Sequence, residues 1–389
     1  MNRRDMYNER INRIKKSLDR DSTLDRVPVV PKLYGWLVEY YGYSFEEFYQ
    51  TKPEIAAEIY KRGFDEFDYD GVFNLNNVTP LAATAELGGG LYTLSDKGIQ
   101  ASNLNAHVMQ VEDYPEITKD FIGFCRDEIF PRKFEMLSNG NTQEAFEALK
   151  VSYEKFIWYM GSAINSHKQI EEYGCPVMWG KGGLLHPIDW IMDYFRDFSG
   201  MMGDLRRKAE DVKQAADSLQ NYFEQNVYKK FQPFEDGHGV FWPMHIAPFL
   251  KPKDFEKFFY PYFKRTLEFC IDNKIYAALC LEGNWEPYYD ILQDLPDNKY
   301  IIGSMEKGDY KKFKESLGKK MVICGGIPSN LLAFGSKQEC IDHTKKLIDD
   351  CADGGGFIVD TDVSLLSLSD AKADNLKAVI ETVKEYGKY

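Results

Sequence analysis

The sequence lacks the features of membrane-embedded and secreted proteins. It contains no run of about 18 apolar residues, the length that a membrane-spanning helix needs. Residues 1–20 are charged throughout and hold no apolar segment of the kind that directs secretion. We therefore expect a cytoplasmic protein that does not associate with a membrane.

Regularly spaced cysteine pairs are also missing. The seven cysteines are odd in number, scattered along the chain and contain no CxxC motif. Disulfide-rich proteins carry even numbers of cysteines at regular spacings. The pattern is instead typical of free thiols in a reducing compartment.

Positive charge is scarce, because 48 Lys and Arg stand against 61 Asp and Glu and leave a formal net charge of −13. Nucleic acids bind to basic protein surfaces, so we expect no nucleic-acid partner. Several catalytic signatures are missing as well. The chain has no Walker sequence, no GxSxG, no HExxH and no Rossmann fingerprint, which excludes the common kinase, serine-hydrolase and nicotinamide-dependent classes.

Aromatic residues, in contrast, are abundant. The chain of 389 residues contains 26 Phe, 25 Tyr and 6 Trp, or 15% aromatics. That number is enough to fill a core and also to wall an apolar pocket. No low-complexity linker divides the chain, so we predict a single domain over residues 1–389.

Eight short apolar or aromatic runs alternate with helical patterns. The runs are Val27–Tyr34, Gly71–Asn76, Pro176–Gly180, Val240–His245, Tyr276–Glu282, Tyr300–Glu306, Met321–Gly325 and Gly356–Asp362. Short apolar runs of this kind are typical of buried parallel strands. Eight of them alternating with helices predict an α/β fold, a closed (β/α)8 TIM barrel rather than an open sheet.

Helix start signals stand between the runs. Pro252 with the acidic residues after it opens one helix, and Ser336 with Glu339 forms a capping box ahead of another. We also predict a helical N-terminal extension and, after the second strand, an insertion over about residues 85–170. This insertion is expected to be mainly helical, with an edge hairpin, because it is too long for one crossover.

In such barrels the reactive groups lie at the carboxyl ends of the strands. The predicted strand ends carry His245, Cys280, Glu282, Glu306, Cys324, Asp360 and Asp362. Cys280 and Glu282 are two residues apart, so their side chains point to the same side of the strand. Glu282 is the strongest candidate, because carboxylates seldom follow an apolar strand into a core unpaired.

A zinc ion is one candidate ligand of this rim, since zinc accepts thiolate, imidazole and carboxylate ligands. The candidate ligands are Glu282, Cys280, His245 and Asp360. Structural roles remain open at the same positions. Cys280 and Cys324 are also typical of packed core cysteines, Glu306 has Lys307 beside it as an ion-pair partner, and Asp360 is placed to cap the last helix.

Several segments resemble the uroporphyrinogen decarboxylase superfamily. They are Asp25–Val29, Pro252–Phe258 with Pro261-Tyr262, Glu282–Trp285, Gly325–Ser329, Gly354–Ile358 and Ala371–Leu376. The resemblance covers nearly the whole chain and rests on the order and spacing of these segments together. It implies a (β/α)8 barrel with its site at the C-terminal rim.

Two branches of that superfamily imply different activities. The decarboxylase branch carries an arginine-rich loop after the first strand, whereas this chain reads Lys32-Leu33-Tyr34-Gly35-Trp36-Leu37 there. The cobalamin-dependent methyltransferase branch carries a His-x-Cys pair at the fifth strand and a further Cys after the eighth. Here Cys280-Leu281-Glu282 and Asp360-Thr361-Asp362-Val363 occupy those places, so the zinc site of that branch is in doubt.

The resemblance therefore implies an enzyme, a cobalamin-dependent methyltransferase of the demethylating kind. It would move a methyl group from a small methylated donor, above all an aromatic methyl ether, to the cobalt of a separate corrinoid-binding protein. Glu282 is the first candidate to activate the leaving group, as a zinc ligand or as a general acid, with His245, Cys280 and Glu306 assisting. The candidates for the substrate-binding wall are the aromatic residues Tyr34, Trp36, Trp242 and Trp285.

Two alternatives stay open. The first is a lyase of the same fold that decarboxylates a smaller carboxylic acid, and a basic pocket would favour it. The second is a non-catalytic partner of a corrinoid protein, which predicts a rim cavity plugged by side chains. Pairing into a homodimer is expected on analogy alone.

Overall fold

The structure is a computed structural model that describes residues 2–75, 80–90, 92–95, 98–101, 108–138 and 140–389. Its strands are β1 (Tyr92–Ser95), β2 (Gly98–Ala101), β3 (Gly239–Met244), β4 (Tyr276–Asn284), β5 (Ile301–Lys307), β6 (Val322–Ile327) and β7 (Phe357–Thr361). Its α-helices are α1 (Arg3–Leu18), α2 (Tyr34–Tyr40), α3 (Ile55–Phe67), α4 (Leu81–Ala85), α5 (Tyr114–Phe124), α6 (Phe130–Lys133), α7 (Glu135–Ser138), α8 (Thr142–Glu172), α9 (Pro187–Ile191), α10 (Phe198–Arg207), α11 (Ala209–Asn226), α12 (Pro252–Asp254), α13 (Tyr260–Asp272), α14 (Tyr289–Leu292), α15 (Tyr310–Leu317), α16 (Ser329–Phe334), α17 (Lys337–Cys351) and α18 (Ala373–Tyr386). π-Helical turns occupy Glu47–Thr51, Cys125–Ile129, Met192–Arg196 and Phe255–Phe259.

Five parallel strands form the main sheet, in the order β3-β4-β5-β6-β7. Helices connect consecutive strands, as parallel pairing requires. The residues of these strands are almost all buried, because one face packs on helices and the other fills the barrel. The five observed strands begin and end within one or two residues of the bounds predicted for the last five runs.

Three shorter segments close this sheet into a barrel. Val29 bridges to Val359 of β7, and Asp70 N–H donates to Val29 O across 2.9 Å. Val72 then bridges to Val177, and Gly183 bridges to Phe241 of β3. The predicted (β/α)8 TIM barrel is confirmed, although its first three strands are reduced to single bridges and isolated hydrogen bonds.

Proline explains part of this weak pairing in the first segment. Pro28 and Pro31 have no N–H group, so the segment Val27–Pro31 cannot form a continuous ladder on both sides. The second predicted run, Gly71–Asn76, ends at a residue outside the described ranges. The segment that is described still contributes Val72 and Phe73 to the barrel through hydrogen bonds with Met178 and Trp179.

Helix α1 is the predicted N-terminal extension, and it covers the amino-terminal end of the barrel. Its Ile11, Ile14 and Leu18 belong to the same buried cluster as the inward-facing strand residues. Ser17 Oγ donates to Phe357 O across 2.8 Å, at the start of β7. The helix therefore closes the bottom of the barrel and leaves the opposite rim as the accessible end.

The chain between the second and third barrel segments carries the hairpin β1–β2 and the helices α4 to α8. The longest of these, α8, has 31 residues and packs against α3 and α4. None of the helices in the described ranges combines the length and the apolar character that crossing a bilayer requires.

Candidate active site

The strands direct alternate side chains into the barrel, and these become polar toward the carboxyl ends. β4 contributes Cys280 and Glu282, and β5 contributes Ser304 and Glu306. A cavity of about 230 Å3, which we call the mouth cavity, opens beside them at the rim. It is lined by Lys32, Cys280, Leu281, Glu282, Ser304, Glu306, Asp362, Val363 and Ser364.

A break in the β4–β5 ladder sets the position of Glu282. The register shifts between Leu281 and Asn284, as in a β-bulge, a feature that often re-aims side chains beside active sites. Gly283 has φ = +71°, a left-handed conformation that favours glycine. Its N–H donates to Glu306 Oε2 across 2.7 Å, so Glu306 holds the turn that carries Glu282.

His245 follows β3 and stands next to Glu282. Its Nε2 lies 3.5 Å from Glu282 Oε1, and its Nδ1 lies 2.7 Å from Asp193 Oδ2. The three side chains form a row in which an imidazole joins two carboxyl groups. Such a row can hold a proton and pass it from one group to the next.

Asp193 reaches His245 from the π-helical turn that directly follows α9. Such turns are uncommon and occur frequently at functional sites. One helical turn earlier, Asp189 accepts hydrogen bonds from the backbone N–H groups of His245, at 3.3 Å, and Ile246, at 2.8 Å. Asp189 and Asp193 thus fix the backbone and the ring of the same histidine.

The surroundings shift the protonation of this row. Burial lowers the pKa of His245, but the hydrogen bond and charge of Asp193, with the charge of Glu282, raise it to about 9. Burial raises the pKa of Glu282, and although His245 opposes this, the net shift is upward. Burial also raises the pKa of Asp189, to about 7. At neutral pH the imidazole is therefore charged, and Glu282 binds a proton more readily than an ordinary glutamate.

Lys32 forms the floor of the mouth cavity. Its Nζ donates to Asp360 Oδ2, to Ser304 Oγ at 2.8 Å and to Thr361 O at 3.0 Å, which uses all three of its protons. Burial lowers the pKa of Lys32, but the charge of Asp360 more than offsets this and keeps the pKa above its usual value. The lysine is a charged, fully bonded structural group.

Asp360 is equally well bonded. It also accepts hydrogen bonds from the backbone N–H groups of Lys32, at 3.0 Å, and Thr361, at 2.6 Å. Asp360 was predicted as a zinc ligand, and the structure corrects this, because its oxygens are committed to the floor of the barrel. Its charge balances Lys32.

The other proposed zinc ligands do not form a ready-made metal site either. Burial raises the pKa of the Cys280 thiol to about 12, which favours its neutral form, and Nδ1 of His245 is held by Asp193. Within the described ranges, no three His, Cys, Asp or Glu side chains converge as ligands of one ion. Because the donor set does not fit zinc, we derive no step through a metal.

Three of the residues predicted to form the substrate-binding wall do not line the mouth cavity. Trp36, Trp242 and Trp285 are fully buried in the outer core between the strands and the surrounding helices. Trp36 Nε1 donates to Ala371 O and Trp285 Nε1 to Glu282 O, at 2.8 and 2.9 Å. Their assignment to substrate binding is therefore wrong. They face helices rather than the barrel interior because they alternate with the inward-facing strand residues or lie beyond the strand.

Tyr34, the fourth predicted wall residue, lies closer to the mouth cavity. Burial raises its pKa well above the usual value, with Cys280 adding to the shift and a hydrogen bond with Ser364 opposing it. Since Cys280 and Ser364 both line the cavity, Tyr34 lies directly behind its wall. Cys324 is buried beside Asp360, at 3.9 Å from Oδ2, and is a packed thiol.

Sequence reasoning missed Asp189, Asp193 and Lys32 as parts of the site. A signal existed for the first two, since two aspartates stand four residues apart in the otherwise apolar segment Pro187–Phe195 and so share one helix face. Lys32, a charged residue inside the apolar run Val27–Tyr34, was a signal of the same kind as the one that identified Glu282.

Comparison with known proteins assigns the chain to a family. A family model described as uroporphyrinogen decarboxylase (URO-D) matches residues 191–386, from the turn that carries Asp193 to the end of α18. The chain belongs to the uroporphyrinogen decarboxylase family. The superfamily inferred from the sequence motifs is confirmed.

One solved structure extends this likeness over the whole chain. It is described as a methyltransferase from Methanosarcina mazei, and it shares 16% sequence identity with a TM-score of 0.63. The alignment covers 97% of this chain and 98% of that one. At this identity the likeness establishes the common fold. A comparison with curated protein sequences gives no match.

Proposed function

We propose that this protein is a methyltransferase. It would transfer a methyl group from a small methylated donor, an aromatic methyl ether, to the cobalt of a separate corrinoid protein. The observation that carries the proposal is the row Asp193–His245–Glu282 at the rim of the barrel, next to a cavity of about 230 Å3. The fold shared with a protein described as a methyltransferase supports the same class of reaction.

A methyl ether resists cleavage because the alkoxide or phenoxide is a poor leaving group. When the C–O bond breaks, its electron pair stays on oxygen, and a proton must neutralise that oxygen. Glu282 is suited to give the proton, because its raised pKa keeps it protonated at higher pH than an ordinary glutamate. The new bond to the methyl carbon takes its electron pair from the reduced cobalt of the carrier protein.

His245 restores the proton. Its charged ring lies 3.5 Å from Glu282 Oε1, and Asp193 keeps that charge in place. A proton that leaves Glu282 can therefore be replaced from Nε2, and the imidazole is recharged from solvent because the side chain is about one third exposed. Glu306, held by Gly283 N–H, positions Glu282 and is the third proposed participant.

The closed floor determines the direction of approach. Lys32, Asp360 and Ser304 fill the barrel below the mouth cavity, and α1 covers the far end. Donor and acceptor must both come from the rim, which favours a methyl acceptor carried by another protein. The walls offer the aliphatic side chains of Leu281 and Val363 to the donor, with Tyr34 directly behind them.

The decarboxylase alternative finds less support. A carboxylic acid substrate needs cationic groups, yet Lys32 has all three protons engaged by protein oxygens, and the charged ring of His245 is paired with Asp193. The non-catalytic alternative predicted a plugged rim, whereas the mouth cavity leaves room for a small donor.

The test is methyl transfer from methoxyphenol to free cob(I)alamin, followed by absorbance and by release of the phenol product. We expect activity in the native protein and a loss of about 10²–10⁴-fold in kcat for Glu282→Gln. Glu268→Gln, on the outer helix α13, is the matched control and should keep full activity. Equal activity of Glu282→Gln and the control would contradict the role of Glu282, and absence of transfer from any methylated donor would contradict the proposed function.

A further inference from the structure

The floor of the barrel has an aromatic half beside the polar half formed by Lys32 and its partners. Lys32 Nζ lies 5.1 Å from the centre of the Phe73 ring. The Phe73 ring in turn contacts the ring of Trp179, at 4.7 Å between centres, and the ring of Phe241, at 6.1 Å. Both contacts are edge-to-face, one of the arrangements that aromatic rings prefer. We call Phe73, Trp179 and Phe241 the inner aromatic cluster.

Of these three rings, Phe241 presents surface to the barrel interior. Phe73 and Trp179 are fully buried, whereas Phe241 is half-buried. On β3 it stands between Val240 and Trp242, which are buried in the outer core beneath the helices. Because side chains alternate along a strand, Phe241 points into the barrel, and its exposed part faces the interior space. The two buried rings hold it in position from behind.

Gly183 provides open space next to Phe241. The two residues pair across neighbouring parallel segments, where Phe241 N–H donates to Gly182 O at 3.0 Å and Leu184 N–H donates to Phe241 O at 2.8 Å. Paired residues point to the same side of a sheet, so a side chain at Gly183 would project beside the Phe241 ring. Apart from its chain neighbours, no atom of the described residues lies within 4 Å of the place that a Cβ would occupy there. The glycine therefore leaves room for a ligand beside this ring.

This space lies below the row of Asp193, His245 and Glu282. β3 leads from Phe241 through the half-buried Pro243 to His245, and these alternate positions follow the same side of the strand. At about 3.3 Å per residue, the four steps from Phe241 to His245 span roughly 13 Å. Rings in contact have centres about 4.5–7 Å apart, so the span holds a single aromatic ring between Phe241 and the row.

We propose that the inner aromatic cluster binds the aromatic ring of the methyl donor, with Phe241 as the contacting residue and Gly183 as the residue that admits the ring. The inference rests on the proposed function and narrows its substrate class to planar ethers with one aromatic ring. The ring packs on Phe241 with its ether oxygen next to Glu282, so the methyl group faces the rim, where the acceptor arrives. A saturated ring of similar size lacks the π-system and binds less tightly.

The test is calorimetric binding of methoxyphenol and of its saturated counterpart, methoxycyclohexanol, to the full chain without a methyl acceptor. We expect the aromatic compound to bind at least about threefold more tightly. Phe241→Leu keeps an apolar side chain but removes the ring, so it should lose this preference with an unchanged circular dichroism spectrum. Phe334→Leu is the matched control, because Phe334 on α16 is 84% exposed, and it should keep the preference.

A second variant tests the space beside Phe241. Gly183→Leu should fill this space and weaken the binding of both compounds by about tenfold or more. The fold should tolerate the change, since Gly183 has no left-handed backbone conformation that only glycine favours. Gly161→Leu, at an exposed position of α8 where a Cβ also meets no described atom within 4 Å, is the matched control. It should bind both compounds as the native protein does.

Equal affinity of the native protein for the two compounds would overturn the proposal, and so would the absence of binding. An unchanged preference in Phe241→Leu, or unchanged binding by Gly183→Leu, would overturn it as well. Failure of the proposed function looks different, because the protein would then keep its preference for the aromatic compound but transfer no methyl group to cob(I)alamin.

Discussion

The ring of His245 is held by Asp193, 52 residues earlier in the chain, through a contact of 2.7 Å between Nδ1 and Oδ2. A carboxylate in this position keeps an imidazole charged above neutral pH, because its negative charge favours the protonated ring. His245 therefore has a pKa of about 9 and can supply a proton to Glu282 in neutral and mildly alkaline solution.

Asp193→Asn should lower the pKa of His245 toward its ordinary value of about 6.5, because the amide carries no charge. A histidine with a raised pKa is charged below that pKa and neutral above it. The loss of activity on the alkaline side should therefore begin about one pH unit lower or more in the variant. NMR titration of the ring, assigned with His245→Gln, and the pH profile of kcat measure the two effects.

The exposed Asp272→Asn, at the end of α13, is the control for this experiment and should leave both the titration and the profile unchanged. A His245 pKa that stays near 9 in Asp193→Asn would show that Asp193 does not set the charge of the ring.

Asp360→Asn should destabilise the protein by about 3–5 kcal/mol, since it leaves the buried Lys32 ammonium without a counter-charge. The double variant Lys32→Met with Asp360→Asn should recover much of this loss, because both charges are then gone. Urea unfolding measures the free energies. Asp350→Asn, which breaks an exposed pair with Lys346, is the comparison and should cost less than about 1 kcal/mol. Equal effects of the two single variants would argue against a buried charged pair.

Trp285→Ala should cost about 3–5 kcal/mol of stability, as expected for an aromatic side chain removed from a packed core. The KM for the methyl donor should not change, because Trp285 lies outside the mouth cavity. Trp158→Ala, on the exposed surface of α8, should change stability by no more than about 0.5 kcal/mol. Thermal unfolding and steady-state kinetics separate the two properties. A raised KM with unchanged stability would return Trp285 to the substrate wall.

Neutral donors should react better than negatively charged donors, by about tenfold or more in kcat/KM. Glu306 and Asp362 line the mouth cavity, and the charge of Lys32 is already neutralised. Methoxyphenol compared with methoxybenzoate measures this preference. Glu306→Gln should reduce it, since it removes one of the repelling charges. A preference for the benzoate would favour a substrate-binding cation and with it the decarboxylase alternative.

Part of the site could be predicted because a parallel barrel places strand ends on one rim. Glu282, Glu306 and Cys280 follow or end apolar runs in the sequence, and all three line the mouth cavity. The period of two along a strand was enough to put Cys280 and Glu282 on the same side. The tryptophans were assigned wrongly because composition indicates that aromatic side chains are present but not which face of the sheet they occupy.

The sequence by itself determined the number of strands, their order and the end of the barrel at which polar groups collect, because these follow from local hydrophobic periods and short connections. The tertiary structure alone decided which groups pair. Asp193 meets His245 across 52 residues, and Lys32 meets Asp360 across 328. Such contacts depend on how the barrel closes and on local breaks such as the π-helical turn at Met192–Arg196, and no local pattern encodes them.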